Sequence, residues 1–281
     1  MPKLIRERIF ITVKTYPTLS NKYGELVCTA GLREDGTWIR LYPIPFRLLE
    51  AENRYRKYQW IEIDVEKNPK DPRPESYRPC NFEDAVFGEV VPSNNKWRER
   101  NLIIERSKTF TNRAALVEQT NSTGLSLATF RPTQVKRMIA EPCEREWDSA
   151  KIEKALTAIR QDQLFDTEEE RVFRRNFQPA KKIPYHFKYV FYDDAGNEIR
   201  LMVEDCEIGM LFLNCREKYD EKTAVEKTIE KYESFIETAD LRFFLGTTLK
   251  FQNRRAPNPF VIIGVYPAPP KPPCPLFEGL E

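Results

Sequence analysis

Between residues 8 and 66 the sequence carries four strand-like runs with little between them: RIFITVKTY, ELVCTAGL, TWIRLY and QWIEIDVE. In the first run Ile9, Ile11 and Val13 fall on one face, and Phe10, Thr12 and Lys14 fall on the other, which is the two-residue period of a strand. In the last run Ile61, Ile63 and Val65 alternate with Glu62, Asp64 and Glu66. The second and third runs are joined by REDG, where Gly36 can supply the positive φ of a tight hairpin. Parallel neighbours need crossovers of about a dozen residues or more, and these connections leave little room for them. The N-terminal region is therefore expected to be a small antiparallel sheet or barrel.

Downstream, KNPKDPRPESYRP (67–79) interrupts regular structure with Pro69, Pro72, Pro74 and Pro79. Residues 80–145 are harder to read, with short apolar pieces and a polar loop, QTNSTGLS. Charged, helix-favouring sequence then runs from about 148 to 176. YHFKYVFY, DDAGN and EIRLMVE read as a hairpin. EKTAVEKTIEKYESFIETAD reads as an amphipathic helix with Val225, Ile229, Tyr232 and Ile236 along one stripe. LRFFLGTTLKF and FVIIGVY are expected as the last strands, followed by the proline-rich PAPPKPPCPLFEGLE.

The chain has 281 residues and a formal net charge of +2, from 45 Lys and Arg against 43 Asp and Glu. A near-neutral total points neither toward nor away from nucleic acid; only local clustering of the cations can. No signal-like or membrane-spanning apolar run is present. Cys28, Cys80, Cys143, Cys206, Cys215 and Cys274 form no C-x-x-C pair, so reduced thiols and a cytoplasmic setting are expected. The single histidine, His186, makes a zinc site or a His-based triad hard to assemble, and no glycine-rich phosphate loop occurs.

The chemistry concentrates in TWIRLYPIPFR (37–47). Ile39 and Leu41 can fill a barrel interior, which sends Trp38, Arg40 and Tyr42 to the opposite face. Rings for stacking and cations for phosphates are the parts of a single-strand site. Nearby, RYRKYQW (54–60) interleaves Arg54, Arg56 and Lys57 with Tyr55, Tyr58 and Trp60. The structural alternative packs Trp38 and Tyr42 beneath the proline-rich segment, with Arg40 paired to a carboxylate such as Glu62.

The run VCTAGLREDGTWIRLYP resembles the C-x-A-G…G-x-W-[I/V]-R signature near the start of a family of uncharacterised prokaryotic dual OB-fold proteins. Cys28, Ala30, Gly31, Gly36, Trp38, Ile39 and Arg40 match it residue by residue. DLRFFLGTT…PFVIIGV resembles the closing strands of that family's second barrel. The resemblance implies two small OB-like barrels of a kind that often binds nucleic acid, in a setting such as defence against mobile elements.

The expected fold is thus α+β and β-rich, with two OB-like antiparallel β-barrels and a helical connector. The expected divisions are a barrel over 1–147, a connector over 148–180, a second barrel-like domain with one amphipathic helix over 181–266, and a proline-rich tail over 267–281. The leading expectation is a protein that binds single-stranded DNA or RNA rather than an enzyme, with no cofactor and no membrane contact. Trp38 and Tyr42 would stack bases, while Arg40, Arg47, Arg54, Arg56, Lys57, Arg254 and Arg255 would meet phosphates. One alternative is a Mg2+-dependent nuclease using Glu204, Asp205 and Glu207. Against it, Asp205 suits the N-cap of a helix with Glu207 in its first turn, and no E-x-K follows. Another alternative is an adaptor that docks a protein partner through the C-terminal tail. QDQLF (161–165) and CPLF (274–277) loosely resemble sliding-clamp-binding peptides.

Overall fold

The computed structural model describes residues 3–160, 167–254 and 256–270. Its first strands are β1 (Ile5–Lys14), β2 (Thr18–Ser20), β3 (Gly24–Leu32), β4 (Trp38–Ile44), β5 (Gln59–Lys67), β6 (Ser76–Pro79) and β7 (Val86–Val90). Five of them close into a barrel in the order β1–β3–β4–β6–β5 and back to β1. The β4–β6 pair is parallel and the other pairs of the ring are antiparallel. β2 extends β3, and β7 extends β5. The Asp-Gly hairpin forms as read: Gly36 has φ +83°, and the Asp35 carboxylate accepts the Thr37 N–H at 2.9 Å.

The alternating runs fill this barrel. Ile9, Ile11, Ile39, Leu41, Ile61, Ile63 and Val65 point inward around Tyr55 and Phe82. A register shift between Ile11 and Val13 moves Val13 off that inner face, because one extra residue in a strand reverses the side on which its successors stand.

Past the barrel come α1 (Asn94–Ile104), β8 (Thr109–Phe110), α2 (Arg113–Thr123), β9 (Leu127–Phe130), β10 (Gln134–Pro142), α3 (Ser149–Arg160) and α4 (Glu168–Asn176). They are followed by β11 (Tyr185–Tyr192), β12 (Glu198–Met202), α5 (Cys206–Arg216), α6 (Glu221–Thr238), β13 (Asp240–Thr247), α7 (Leu249–Asn253) and β14 (Phe260–Ala268). These strands make a three-stranded sheet, β10–β11–β12, and a four-stranded sheet, β14–β13–β9–β8. A parallel bridge between Val203 and Ile262 links the two sheets. The second half is therefore two sheets around one core rather than the closed ring expected from its strand count. Phe187, Tyr189 and Phe191 meet Phe243 and Leu245 there, and the Val225–Ile229–Tyr232–Ile236 stripe of α6 packs on them.

Two local expectations change. TTLKF does not continue β13, because the Thr248 hydroxyl accepts the Phe251 N–H and caps α7 instead. β9 and β10 pair with β13 and β11, so strands before residue 147 share sheets with strands after 181.

The halves meet through an apolar layer. Phe10, Val13, Ala30, Leu32 and Trp38 on the barrel exterior pack against Phe244, Val261, Ile263 and Tyr266 of β13 and β14. β1, β3 and β4 are consequently buried on both faces.

Candidate functional site

Of TWIRLYPIPFR, Trp38 lies in that layer, while Ile39, Leu41 and Ile44 point into the barrel. Trp38 is buried, with its ring edge-on to Phe244 at 5.3 Å. Arg40 is 2% exposed. Its guanidinium donates to Ser126 Oγ at 2.7 Å, to the Ser126 carbonyl at 3.1 Å and to Ser76 Oγ at 3.2 Å. Glu75 in turn accepts the Ser126 N–H at 3.0 Å and its hydroxyl at 2.8 Å. Asp71 holds Arg73, whose Nη1 donates to the Thr247 carbonyl at 2.7 Å. Two cations and two carboxylates thus lock the barrel to the second half, and Arg40 and Trp38 are not on a surface. Tyr42 is half-buried. Of the face expected to present Trp38, Arg40 and Tyr42, the second half covers Trp38 and Arg40.

The remaining cations scatter. Arg47 donates to Glu25 at 2.9 Å and to the Gln178 carbonyl at 3.2 Å, pinning the segment after α4 to the barrel. Arg54 is exposed but turned onto the carbonyls of Leu49 and Arg47. Arg56 and Arg254 are exposed; Arg255 lies outside the described residues, as do QDQLF, Cys274 and CPLF. The tail lies outside them from residue 271 onward, and its expected first residues, Pro267 and Ala268, belong to β14.

Lys57 is buried between two residues of the nuclease alternative. Its Nζ donates to Asp205 at 2.9 Å and to Glu207 at 2.7 Å. Burial alone would lower the ammonium pKa, but the two carboxylates outweigh it and hold Lys57 well above its ordinary value. Asp205 also N-caps α5 by accepting the Glu207 N–H at 3.1 Å. Among the described residues no three His, Cys, Asp or Glu side chains are placed to share a metal ion.

Glu204 has a different environment. It follows β12 and lines a pocket of about 230 Å³ together with Tyr16, Trp147, Tyr185, His186 and Phe187. Its carbonyl accepts the Tyr16 N–H at 2.9 Å, and its N–H donates to the Ile262 carbonyl at 2.7 Å, so its backbone is fixed from both halves. Its carboxylate has no hydrogen-bond or ion-pair partner among the described residues, and burial pushes its pKa up. α5 approaches closely because residue 209 is glycine: a Cβ there would stand 2.5 Å from the Tyr16 ring. The Tyr16 hydroxyl donates to the Lys181 carbonyl at 2.7 Å. Cys143 also lines the pocket, yet its thiol donates to the Ile183 carbonyl at 3.5 Å and burial raises its pKa. A nucleophilic cysteine needs the opposite shift.

Beside the pocket, and sharing Trp147 and Lys182 with it, is an open cleft of about 840 Å³ between the connector and α5. Trp147 is fixed by donating Nε1–H to the Ala180 carbonyl at 2.8 Å. The cleft's charged lining is Arg145, Lys181, Lys182 and Arg216 against Glu146 and Glu217, an excess of cations. Arg145 pairs with Glu221 at 2.8 Å, and Lys182 pairs with Glu144 at 3.2 Å. Lys181 and Arg216 have no carboxylate partner among the described residues.

Residues 107–281, well over half of the chain, match a family model described as a domain of unknown function, DUF8757. The chain belongs to the DUF8757 family. Residues 5–106 match a second domain of unknown function, DUF8758. Among curated proteins none matches the chain. The DUF8757 segment begins between α1 and β8, the point at which strand pairing leaves the barrel. It supplies Trp147, Lys181, Lys182, Glu204 and Arg216, and the DUF8758 segment supplies Tyr16, so the pocket is completed only where the two segments meet.

Sequence reasoning placed none of its phosphate-binding residues in this cleft. The available signals were weak: the dipeptide Lys181–Lys182 and a tryptophan flanked by charges. Glu204 stands in the sequence as one of three candidate metal-binding carboxylates, but Asp205 and Glu207 turn to Lys57 while Glu204 has no side-chain partner among the described residues.

Proposed function

We propose that this protein binds single-stranded nucleic acid in the cleft between the connector and α5. The observation that carries the reading is a cation-rich cleft running past a fixed tryptophan into a largely apolar pocket lined by the half-buried Glu204. Cations that track a backbone, beside rings on which bases stack, are the requirements for single-strand binding. Two unpaired cations, Lys181 and Arg216, are available for phosphates without first breaking an ion pair.

We further infer that the closed barrel is an OB fold. Counting only the ring strands, its order is 1-2-3-5-4-1 with strands three and five parallel. OB barrels bind through the face of strands two and three and through adjoining loops. Here that face is occupied by β13 and β14, which leaves the loop between the first two ring strands. Thr15, Tyr16, Pro17 and Thr18 of that loop line the pocket. A cytoplasmic protein of a prokaryotic defence system remains compatible with this reading.

The test is fluorescence anisotropy with labelled single-stranded and duplex DNA and RNA, at two salt concentrations, with and without Mg2+. Single strands are expected to bind in preference to duplex, with log K falling by about 0.7 per phosphate contacted for each unit of log salt. Lys181→Glu and Arg216→Glu should each weaken binding, whereas Arg54→Glu and Arg56→Glu should leave it unchanged. The reverse pattern would move the interface back to the barrel.

A further inference from the structure

The Glu204 pocket has dimensions and chemistry that the cleft alone does not require. Its volume of about 230 Å³ corresponds to roughly seven or eight waters at about 30 Å³ each, the scale of one heterocyclic base of about eight to eleven non-hydrogen atoms. Tyr16, Trp147, Tyr185 and Phe187 give it ring-bearing walls. Glu204 lines it too, with no side-chain hydrogen-bond or ion-pair partner among the described residues. A half-buried carboxylate on an apolar wall gives up part of its hydration without a protein donor in exchange, so an occupant that supplies N–H donors restores what burial removed.

We infer that the pocket is a subsite for one unstacked guanine-type base, whose adjacent N1–H and N2–H donors meet the two oxygens of Glu204. This rests on the proposal that the cleft binds a nucleic-acid strand. The choice among bases follows from donor patterns. An ionised carboxylate only accepts hydrogen bonds, and the Watson–Crick edge of guanine presents two neighbouring donors to it. Adenine and cytosine place a ring-nitrogen acceptor beside their amino donor. Uracil and thymine flank a single N–H with two carbonyl oxygens, which repel a carboxylate. Recognition of unpaired bases by ring stacking together with Watson–Crick-edge hydrogen bonds is the general mode for single strands. The cleft meets the pocket at Trp147 and Lys182, so a strand lying on Lys181 and Arg216 passes the pocket mouth.

The same donor pair is carried by a free guanine nucleotide, so the experiment separates the two sources. Titration calorimetry of the full chain would compare oligo(dT), oligo(dT) with one central dG, the same strand with inosine replacing that guanine, and free GMP, AMP, CMP and UMP. The dG strand is expected to bind about tenfold tighter than oligo(dT), in the range of a bidentate base contact. Inosine, which lacks the N2 donor, should forfeit most of that gain. Glu204→Gln should abolish the dG preference, so that the dG and dT strands bind alike. GMP binding in preference to the other nucleotides, with no affinity for any strand, would keep the base subsite and overturn the strand-binding proposal. Equal, salt-dependent binding of the dT, dG and inosine strands would overturn the guanine subsite and leave the cleft standing. The inosine comparison uses unaltered protein, so it decides the matter even if Glu204→Gln fails to fold.

Discussion

Replacing Arg40 by methionine separates a structural role for the TWIRLY strand from a binding role. The variant keeps much of the side-chain volume but removes the guanidinium that makes three hydrogen bonds, at 2.7, 3.1 and 3.2 Å. The Ser126 carbonyl then loses this donor, and the positive charge opposite Asp71 and Glu75 falls to that of Arg73. Breaking a buried charged network from one side costs about 3–5 kcal/mol, because the groups left behind are desolvated and unpaired. At roughly 2–4 °C per kcal/mol for a chain of this order of size, melting should fall by on the order of 10 °C. The assay is thermal and urea unfolding followed by tryptophan fluorescence, since Trp38 sits in the same layer against Phe244. Arg56→Met, at an exposed position, is the control and should shift stability by no more than about 0.5 kcal/mol. If Arg40→Met unfolds together with Arg56→Met yet loses nucleic-acid binding, the buried-lock reasoning is wrong and the strand is a binding face after all.

Three other perturbations test separate parts of the structure. Double-mutant cycles should give Lys57 and Asp205, both buried, a coupling of about 2–3 kcal/mol. The Lys57–Glu207 coupling should stay below about 1 kcal/mol, because the Glu207 side chain is 55% exposed. Glu204→Gln should stabilise the protein at pH 8. Burial raises the folded pKa of Glu204 above its ordinary 4.5, so its contribution is fully present below that value and is lost as pH rises through the folded pKa. The wild-type-minus-Gln difference in melting temperature should therefore become less favourable to wild type with rising pH, and a flat difference from pH 4 to 8 would refute the assignment. Gly209→Ala should push the Tyr16 ring out of place and weaken binding of dG strands more than of oligo(dT), as measured by anisotropy.

The barrel was legible because its strands state their inner face with a two-residue period. Ile39, Leu41, Ile61, Ile63 and Val65 all stand where the pattern put them. What the pattern could not state is what covers the outer face. Trp38 and Arg40 look identical in sequence whether water, a base or another part of the chain lies over them. The deciding partners, Ser126 and Phe244, are far away in the chain. Val13 changed face for a different reason, a register shift that alternation alone does not announce. The cleft was illegible because its cations come from three separate segments, at Arg145, Lys181–Lys182 and Arg216.

The location of the proposed site follows from what the fold has already used. A five-stranded barrel with this order offers the face of its second and third ring strands, and here β13 and β14 take that face with an apolar layer plus a neutralised network of Arg40, Arg73, Asp71 and Glu75. Two charges of each sign close that lock. The Lys57 ammonium closes a second one by facing Asp205 and Glu207. Buried polar groups in a stable protein are satisfied, and both locks obey that rule. Glu204, adjacent in sequence to Asp205, is half-buried and outside both locks: it is anchored by its backbone from both halves, and its side chain has no partner among the described residues. A group that lowers stability and is held rigidly in a ring-lined pocket has the properties of a recognition site, where stability is traded for function. The Glu204→Gln comparison therefore bears on both properties: the substitution that removes guanine preference is the one expected to raise the melting temperature.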